Sequence, residues 1–248
     1  MTDRKSKLRP APGGCSIGHF AITTGTLGMV VKRHGIRHIL SNNHILANSN
    51  DCQDYDPILQ PGPYDGGRNS DIIGNLAGYV KIVFAGDEST CLITRFFIWC
   101  FNSIASLFHR YSRVRSFSSQ TNKVDSAIAR PLVDDDISEE ILEVGKPAGF
   151  NLAELHVGQT VKKSGRTTGL NQGTIVALDA IVNVGYGDNK VAVFEDQVLT
   201  TPIAQGGDSG SVVLNEKNEV IGLLFAGSNF VAIVNKIGNV IDALGLDR

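Results

Sequence analysis

Short runs of alternating apolar and polar residues, broken by glycine, asparagine or aspartate, recur along most of the chain. A period of two buries one face of a β-strand and leaves the other in water, so the pattern predicts many short strands. The run GTLGMVVKR, the step His34-Gly35 and the run IRHILS predict a hairpin whose second strand ends at Asn42-Asn43-His44. A proline- and glycine-rich stretch, DPILQPGPYDGGRNSD, predicts a surface loop, and IIGNLAGYVKIVF predicts the strand after it. Beyond Gly145 come VGQTVKKSG, NQGTIVALDAIVNVG, KVAVFEDQVLTT, SGSVVLN, EVIGLLFAG and NFVAIVNK, separated by turn residues. Strands at this density predict a barrel. The tail IGNVIDALGL sets Ile237, Val240, Ile241 and Leu244 at helical spacing and predicts a short closing helix.

One segment breaks the alternation. Residues 89–118 carry FFIWCFNSIASLF, flanked by Arg95, His109, Arg110, Arg113 and Arg115, with few turn residues. It predicts a helical insertion whose apolar core is too short to span a bilayer. Packing on its own domain and contact with a second copy of the chain, giving a homo-oligomer, are the two readings weighed for it. An apolar run of this kind is unusual on a monomer surface, and peripheral membrane contact is the less favoured reading. The predicted architecture is all-β: two six-stranded antiparallel β-barrels over residues 1–145 and 146–248, with the insertion in the first and a short C-terminal helix.

Composition narrows the function classes. With 248 residues, 42% of them hydrophobic, the chain can bury a large core in one or two compact domains. Its 23 basic and 25 acidic residues give a net charge of -2, which supplies no global field to draw it onto nucleic acid. The N-terminal MTDRKSKLRPAPGG lacks the apolar core of a secretion signal, so a cytoplasmic location is expected. In that setting Cys15, Cys52, Cys91 and Cys100 are expected to be thiols acting as small hydrophobes; their spacing matches no zinc pattern.

The sharpest chemical signal is Gly206-Gly207-Asp208-Ser209-Gly210-Ser211, set just before the apolar strand that starts at Val212. Glycines let the backbone turn tightly and present amide N–H groups beside the serine hydroxyl. A serine hydroxyl alone is a poor nucleophile and needs a base, which in turn needs a group to hold its tautomer. His44 follows a strand and is the candidate base, whereas His19, His34, His38, His109 and His156 lack a comparable setting. Asp125, in NKVDSAIARP, is the candidate orienting carboxylate, with Asp71 in NSDIIGNL its competitor.

The order of SNNHILA, VDSAIA and GGDSGSVV resembles the histidine, aspartate and serine motifs of the trypsin-like (chymotrypsin-clan) serine peptidases. Together with QPGPYDGG and KKSGRTTGL, these motifs look closer still to a bacterial group related to the plant narrow-leaf proteins. The resemblance covers nearly the whole chain and implies a chymotrypsin-like double β-barrel. It also implies catalysis by Ser209, His44 and Asp125, an oxyanion hole from the N–H groups of Gly207 and Ser209, protein or peptide substrates, and no metal or organic cofactor. By the same resemblance Ile203 is expected at the base of the specificity pocket, with Phe225, Ala226, Gly227 and Ser228 as walls. No acidic residue or histidine stands there, so a small or medium apolar side chain is expected rather than Lys, Arg or Glu.

Two departures stand out. His44 and Asp125 are 125 − 44 = 81 residues apart, longer than in the family, and the insertion matches the surplus. The N-terminal activation motif of secreted zymogens is missing, so no terminal ammonium is expected to pair with Asp208. Lys162, Lys163 and Arg166 match no phosphate-loop pattern and are expected to flank a solvated β-turn.

Overall fold

The computed structural model describes residues 3–86, 96, 97, 99, 121–187 and 190–248. The predicted hairpin comprises β4 (Met29–Arg33) and β5 (Ile36–Ser41), paired antiparallel from Arg33↔Ile36 to Met29↔Leu40. His34 and Gly35 both take positive φ, at 53° and 75°, the two-residue turn whose twist matches that of the flanking strands.

This hairpin is the edge of a seven-stranded sheet. Its other strands are β2 (Ser16–His19), β3 (Gly25–Thr26), β6 (Pro57–Leu59), β7 (Ile72–Tyr79) and β8 (Ala127–Pro131), in the order β3-β2-β6-β7-β8-β5-β4. Ile17, Ile39, Ile58, Ile73 and Leu46 fill the curl with no exposed surface. Each such side chain contributes about 1.5–3 kcal/mol by leaving water. Two short segments, β1 (Ala11–Gly13) and β9 (Ile137–Ile141), pair in parallel outside this sheet.

The second sheet contains β10 (Gly149–Phe150), β11 (Thr160–Gly165), β12 (Gly169–Gly185), β13 (Val191–Thr200), β14 (Val212–Leu214), β15 (Glu219–Gly227) and β16 (Ala232–Lys236). Six of these strands close a ring, because β15 pairs with both β14 and β16, and β10 adds a parallel edge to β15. Val161, Ile175, Val198, Val213, Ile221 and Val234 form its interior. The closing helix α2 (Ile237–Leu244) buries Ile237, Val240, Ile241 and Leu244, the residues whose spacing predicted it.

Those helical residues join Val31, Leu40 and Ile128 of the first sheet to Val212, Leu214 and Leu223 of the second in one buried cluster. That cluster fixes the two sheets against each other. It positions the segment after β5 opposite the segment before β14, and these segments carry His44 and Ser209.

Most of the 89–118 insertion lies outside the described residues, and with it the expected contact with a second copy. Of its residues Phe96, Phe97 and Trp99 are described; they are helical and 59%, 66% and 66% exposed. Asn122 ties the returning chain to its departure point: its amide donates to the Val83 carbonyl at 2.9 Å, and its Oδ1 accepts the Val83 N–H at 2.8 Å. The extra length between His44 and Asp125 therefore leaves β7 and β8 paired as neighbours. No helix among the described residues is long and apolar enough to cross a membrane. Cys15 is a buried free thiol, pushed up to about 12 chiefly by that burial, and Cys52 is a half-buried one; Cys91 and Cys100 lie outside the described residues.

Candidate active site

His44 leaves β5 on a four-residue helix, α1 (Asn43–Leu46), held by the two asparagines before it. The Asn42 amide donates to the Asp125 carbonyl at 2.7 Å and the Asn43 amide to the Val80 carbonyl at 2.7 Å. Both asparagines are fully buried, and their amide N–H groups replace lost water with bonds that lock this turn against the chain beside β7 and β8. His44 itself is one-fifth exposed at the rim.

Asp125 stands two residues before β8 and has no exposed surface. Its Oδ2 lies 2.6 Å from His44 Nδ1, and its Oδ1 accepts the His44 backbone N–H at 3.2 Å. This contact assigns the proton of the neutral imidazole to Nδ1, leaving Nε2 as the basic nitrogen. The Asp125 backbone N–H donates to Asn235 at 3.0 Å, so the second sheet also grips this residue. Tyr186, the residue after β12, donates its hydroxyl to Asp125 Oδ2 at 2.8 Å. Asp71 is elsewhere: it pairs with Lys7 at 2.9 Å and caps the turn at Arg68.

Ser209 sits on the turn entering β14, and its hydroxyl donates to the Phe225 carbonyl at 3.2 Å. It shares with His44 and Tyr186 a cleft of about 1120 Å³ between the two sheets. Among the described residues the N–H groups of Gly207 and Ser209 have no protein acceptor, while the N–H groups of Asp208 and Gly210 bond to Gln205 and Leu224. Gly207 and Gly210 take φ of +95° and +96°, a region that side chains strain, and a Cβ on Gly210 would run into Ser41 and the Thr26 carbonyl. β3 holds the turn from the first sheet, through Thr26 N–H to the Ser209 carbonyl and Thr26 Oγ1 to the Gly207 carbonyl, each at 2.8 Å.

Asp208 and Lys163 show how the turn is anchored. Both are fully buried, with Lys163 Nζ 3.0 Å from Asp208 Oδ2. The same carboxylate accepts the N–H groups of Thr167 (2.8 Å), Thr168 (3.1 Å) and Gln205 (3.0 Å), and the Thr168 hydroxyl (2.7 Å). Burial pushes the Asp208 carboxyl up, but the Lys163 charge and these donors outweigh it and hold it below its usual range. Burial lowers the Lys163 ammonium despite the pull of Asp208.

The expectation of a solvated turn at KKSGRTTGL is therefore corrected. Lys163 anchors the serine turn from inside the chain, and Arg166, only 7% exposed, pairs through two nitrogens with Asp65 beneath the Tyr64 ring. Buried charges need such partners, and the opposite charges lie far away in sequence.

Of the expected pocket residues, Phe225, Ala226, Gly227 and Ser228 line the cleft. Ile203 does not: it is 2% exposed and packs into the second barrel beside Val161 and Val213, and its neighbour Ala204 lines the cleft instead. The register of a loop that enters a turn is not set by alternation, so a one-residue offset there has no signature in the sequence. His19 also meets a carboxylate, Asp56, at 3.0 Å, but its Nδ1 accepts the Ala21 N–H and it braces the β2 end. Among the described residues no group of His, Cys, Asp and Glu has the geometry to hold a metal ion.

No family model matches the chain. It is similar to Serine protease 2 of Streptomyces fradiae, 39% identical over 80 residues, which are 32% of this chain and 37% of that protein. It is also similar to Streptogrisin-D of Streptomyces griseus, 38% identical over 79 residues, 32% of this chain and 16% of that protein. The match thus spans well under half the length of these curated relatives. Among solved structures, Thermobifida fusca Protease A superposes with a TM-score of 0.60 at 17% identity, covering 95% of this chain and 96% of the other. A glutamic-acid-specific serine protease with a histidine triad in substrate binding gives 0.58 at 20%, covering 94% and 97%, and Cellulomonas bogoriensis chymotrypsin gives 0.56 at 19%, covering 95% and 96%. These likenesses show that the chain has the chymotrypsin-like fold.

Proposed function

We propose that the protein is a serine endopeptidase that cleaves peptide bonds through an acyl-enzyme. The observation that carries this reading is the 2.6 Å contact of His44 Nδ1 with the buried Asp125 carboxylate, in a cleft that also holds Ser209 on its glycine turn. A structural role alone would not need a one-fifth-exposed imidazole held by a fully buried carboxylate at a cleft rim.

In the proposed reaction the Ser209 hydroxyl turns from the Phe225 carbonyl towards His44 Nε2, which takes its proton as Oγ attacks the substrate carbonyl. Asp125 accepts the Nδ1–H throughout and stabilises the imidazolium. The tetrahedral oxyanion takes bonds from the Gly207 and Ser209 N–H groups, each worth roughly 10²–10³ in rate. Collapse of the intermediate passes the proton from Nε2 to the leaving amine. Water, deprotonated by the same nitrogen, then hydrolyses the ester and returns Ser209.

Phe225, Ala226 and Ala204 give the cleft an apolar wall, which supports preference for a small or medium apolar side chain before the cut bond. The motifs SNNHILA, QPGPYDGG and KKSGRTTGL support placement in the bacterial group related to the plant narrow-leaf proteins. The second reading, a binding or scaffold module on this fold, is favoured by one observation: the Ser209 hydroxyl faces Phe225. Labelling with a fluorophosphonate probe separates the two. Wild type should label, with Ser209→Ala and His44→Ala silent; an unlabelled wild type sinks the peptidase reading.

A further inference from the structure

Asp125 accepts three protein donors on its side chain, and one of them comes from neither the histidine nor its own sheet. The Tyr186 hydroxyl reaches across from the second barrel, 61 residues further along the chain, to the same Oδ2 that holds His44 Nδ1. Its ring is fixed independently: it packs against Phe84 with centroids 5.5 Å apart and Phe194 at 6.2 Å, and stands edge-on to the His44 imidazole at 5.9 Å. We infer that Tyr186 is a positioning residue of the triad, orienting Asp125 by its hydroxyl and the His44 ring by its edge. This rests on the peptidase reading above.

A carboxylate bonded only through the imidazole and one amide can swing about its Cβ–Cγ bond, and the imidazole moves with it. A second donor on Oδ2, mounted on a packed ring, takes that freedom away. Burial first, and then the Asp125 charge, hold the phenol well above its usual range, so it remains a donor whenever the carboxylate is ionised. The hydroxyl also draws negative charge from Oδ2 and so tempers how strongly the carboxylate retains a proton on the imidazole. The residues leading to Tyr186, from Val182, form one wall of the cleft, so the tyrosine is carried by the segment that lines it.

The test is Tyr186→Phe, which keeps the ring and its packing and removes only the hydroxyl. Two readouts are taken: the fluorophosphonate labelling rate against pH, and the imidazole nitrogen and Nδ1–H resonances of His44 in histidine-labelled protein. The variant should label about tenfold more slowly, as loss of one bond to a charged group implies. Its acidic limb should move to higher pH, because the uncovered carboxylate holds the imidazolium proton more firmly. The His44 resonances should shift. A variant with wild-type rate, pH profile and resonances overturns the inference and leaves Tyr186 a packing residue. The resonances decide it even where wild type fails to label, since a shift then keeps the positioning role while the peptidase reading falls.

Discussion

Replacing Lys163 with methionine keeps the apolar stem and removes an ammonium from a site where neither it nor Asp208 has exposed surface. Breaking a buried pair from one side costs about 3–5 kcal/mol, because the remaining charge stays desolvated. Four other donors still reach Asp208, so the loss belongs near the lower end, about 3 kcal/mol. For a chain of this length that lowers Tm by roughly 6–12 °C. The pH dependence carries the sign. In wild type the Asp208 carboxyl is held below its ordinary 3.8, so its contribution is present above that value and lost only as pH falls through the lowered one. In the variant the lysine is gone and burial raises the carboxyl, so instability grows as pH rises through the raised value. Differential scanning calorimetry should therefore show the gap between wild type and Lys163→Met narrowing from pH 7 to pH 4. A drop under about 2 °C at pH 7, or a gap that widens on acidification, refutes the anchoring argument.

Three further outcomes are expected. Asp125→Asn should fold and yet lower the fluorophosphonate labelling rate by about 10⁴, because the amide has one acceptor oxygen where the carboxylate has two, and its NH2 set against Nδ1 donates and holds the tautomer protonated on Nε2; near-normal labelling would remove Asp125 from the triad. Phe194→Ala empties the site between Tyr186 and Phe225, the latter ring 4.7 Å away, and chemical denaturation should report a loss of about 3–5 kcal/mol. Gly210→Ala combines φ of +96° with a clash against Ser41 and Thr26, and thermal melts should register a loss of about 2 kcal/mol or more, the serine turn loosening with it.

Alternation and turn chemistry carry most of the fold because they act over a few residues. His34-Gly35 needs only the tolerance of its own backbone for positive φ, and α2 needs only four apolar residues at helical spacing. The triad candidates were legible for a different reason: His44, Asp125 and Ser209 lie within three residues of strand ends, so strand prediction also locates the cleft rim. What alternation cannot carry is the choice of partner across the closed barrel. Lys163 and Arg166 sit in a polar, glycine-rich run that has the composition of a wet turn, and nothing within ten residues shows that their carboxylates are Asp208 and Asp65, 45 and 101 residues away. Tyr186 is hidden in the same way, one residue beyond β12, where nothing nearby shows that its partner is Asp125, 61 residues away.

Three of the supports hidden from the sequence cross between the two sheets. Asn235 and Tyr186 reach from the second sheet to Asp125, while Thr26 reaches from the first sheet to the serine turn. Each half of the site is thus held in part by the sheet that does not carry it. A displacement of one barrel against the other would strain the histidine–aspartate contact and the serine turn together. The buried cluster joining Leu40 and Ile128 to Val212, Leu223 and α2 resists that displacement, which makes packing far from the cleft part of the geometry at Ser209. A cavity cut there, for example by Leu223→Ala, should therefore slow labelling by more than the loss of folded protein accounts for.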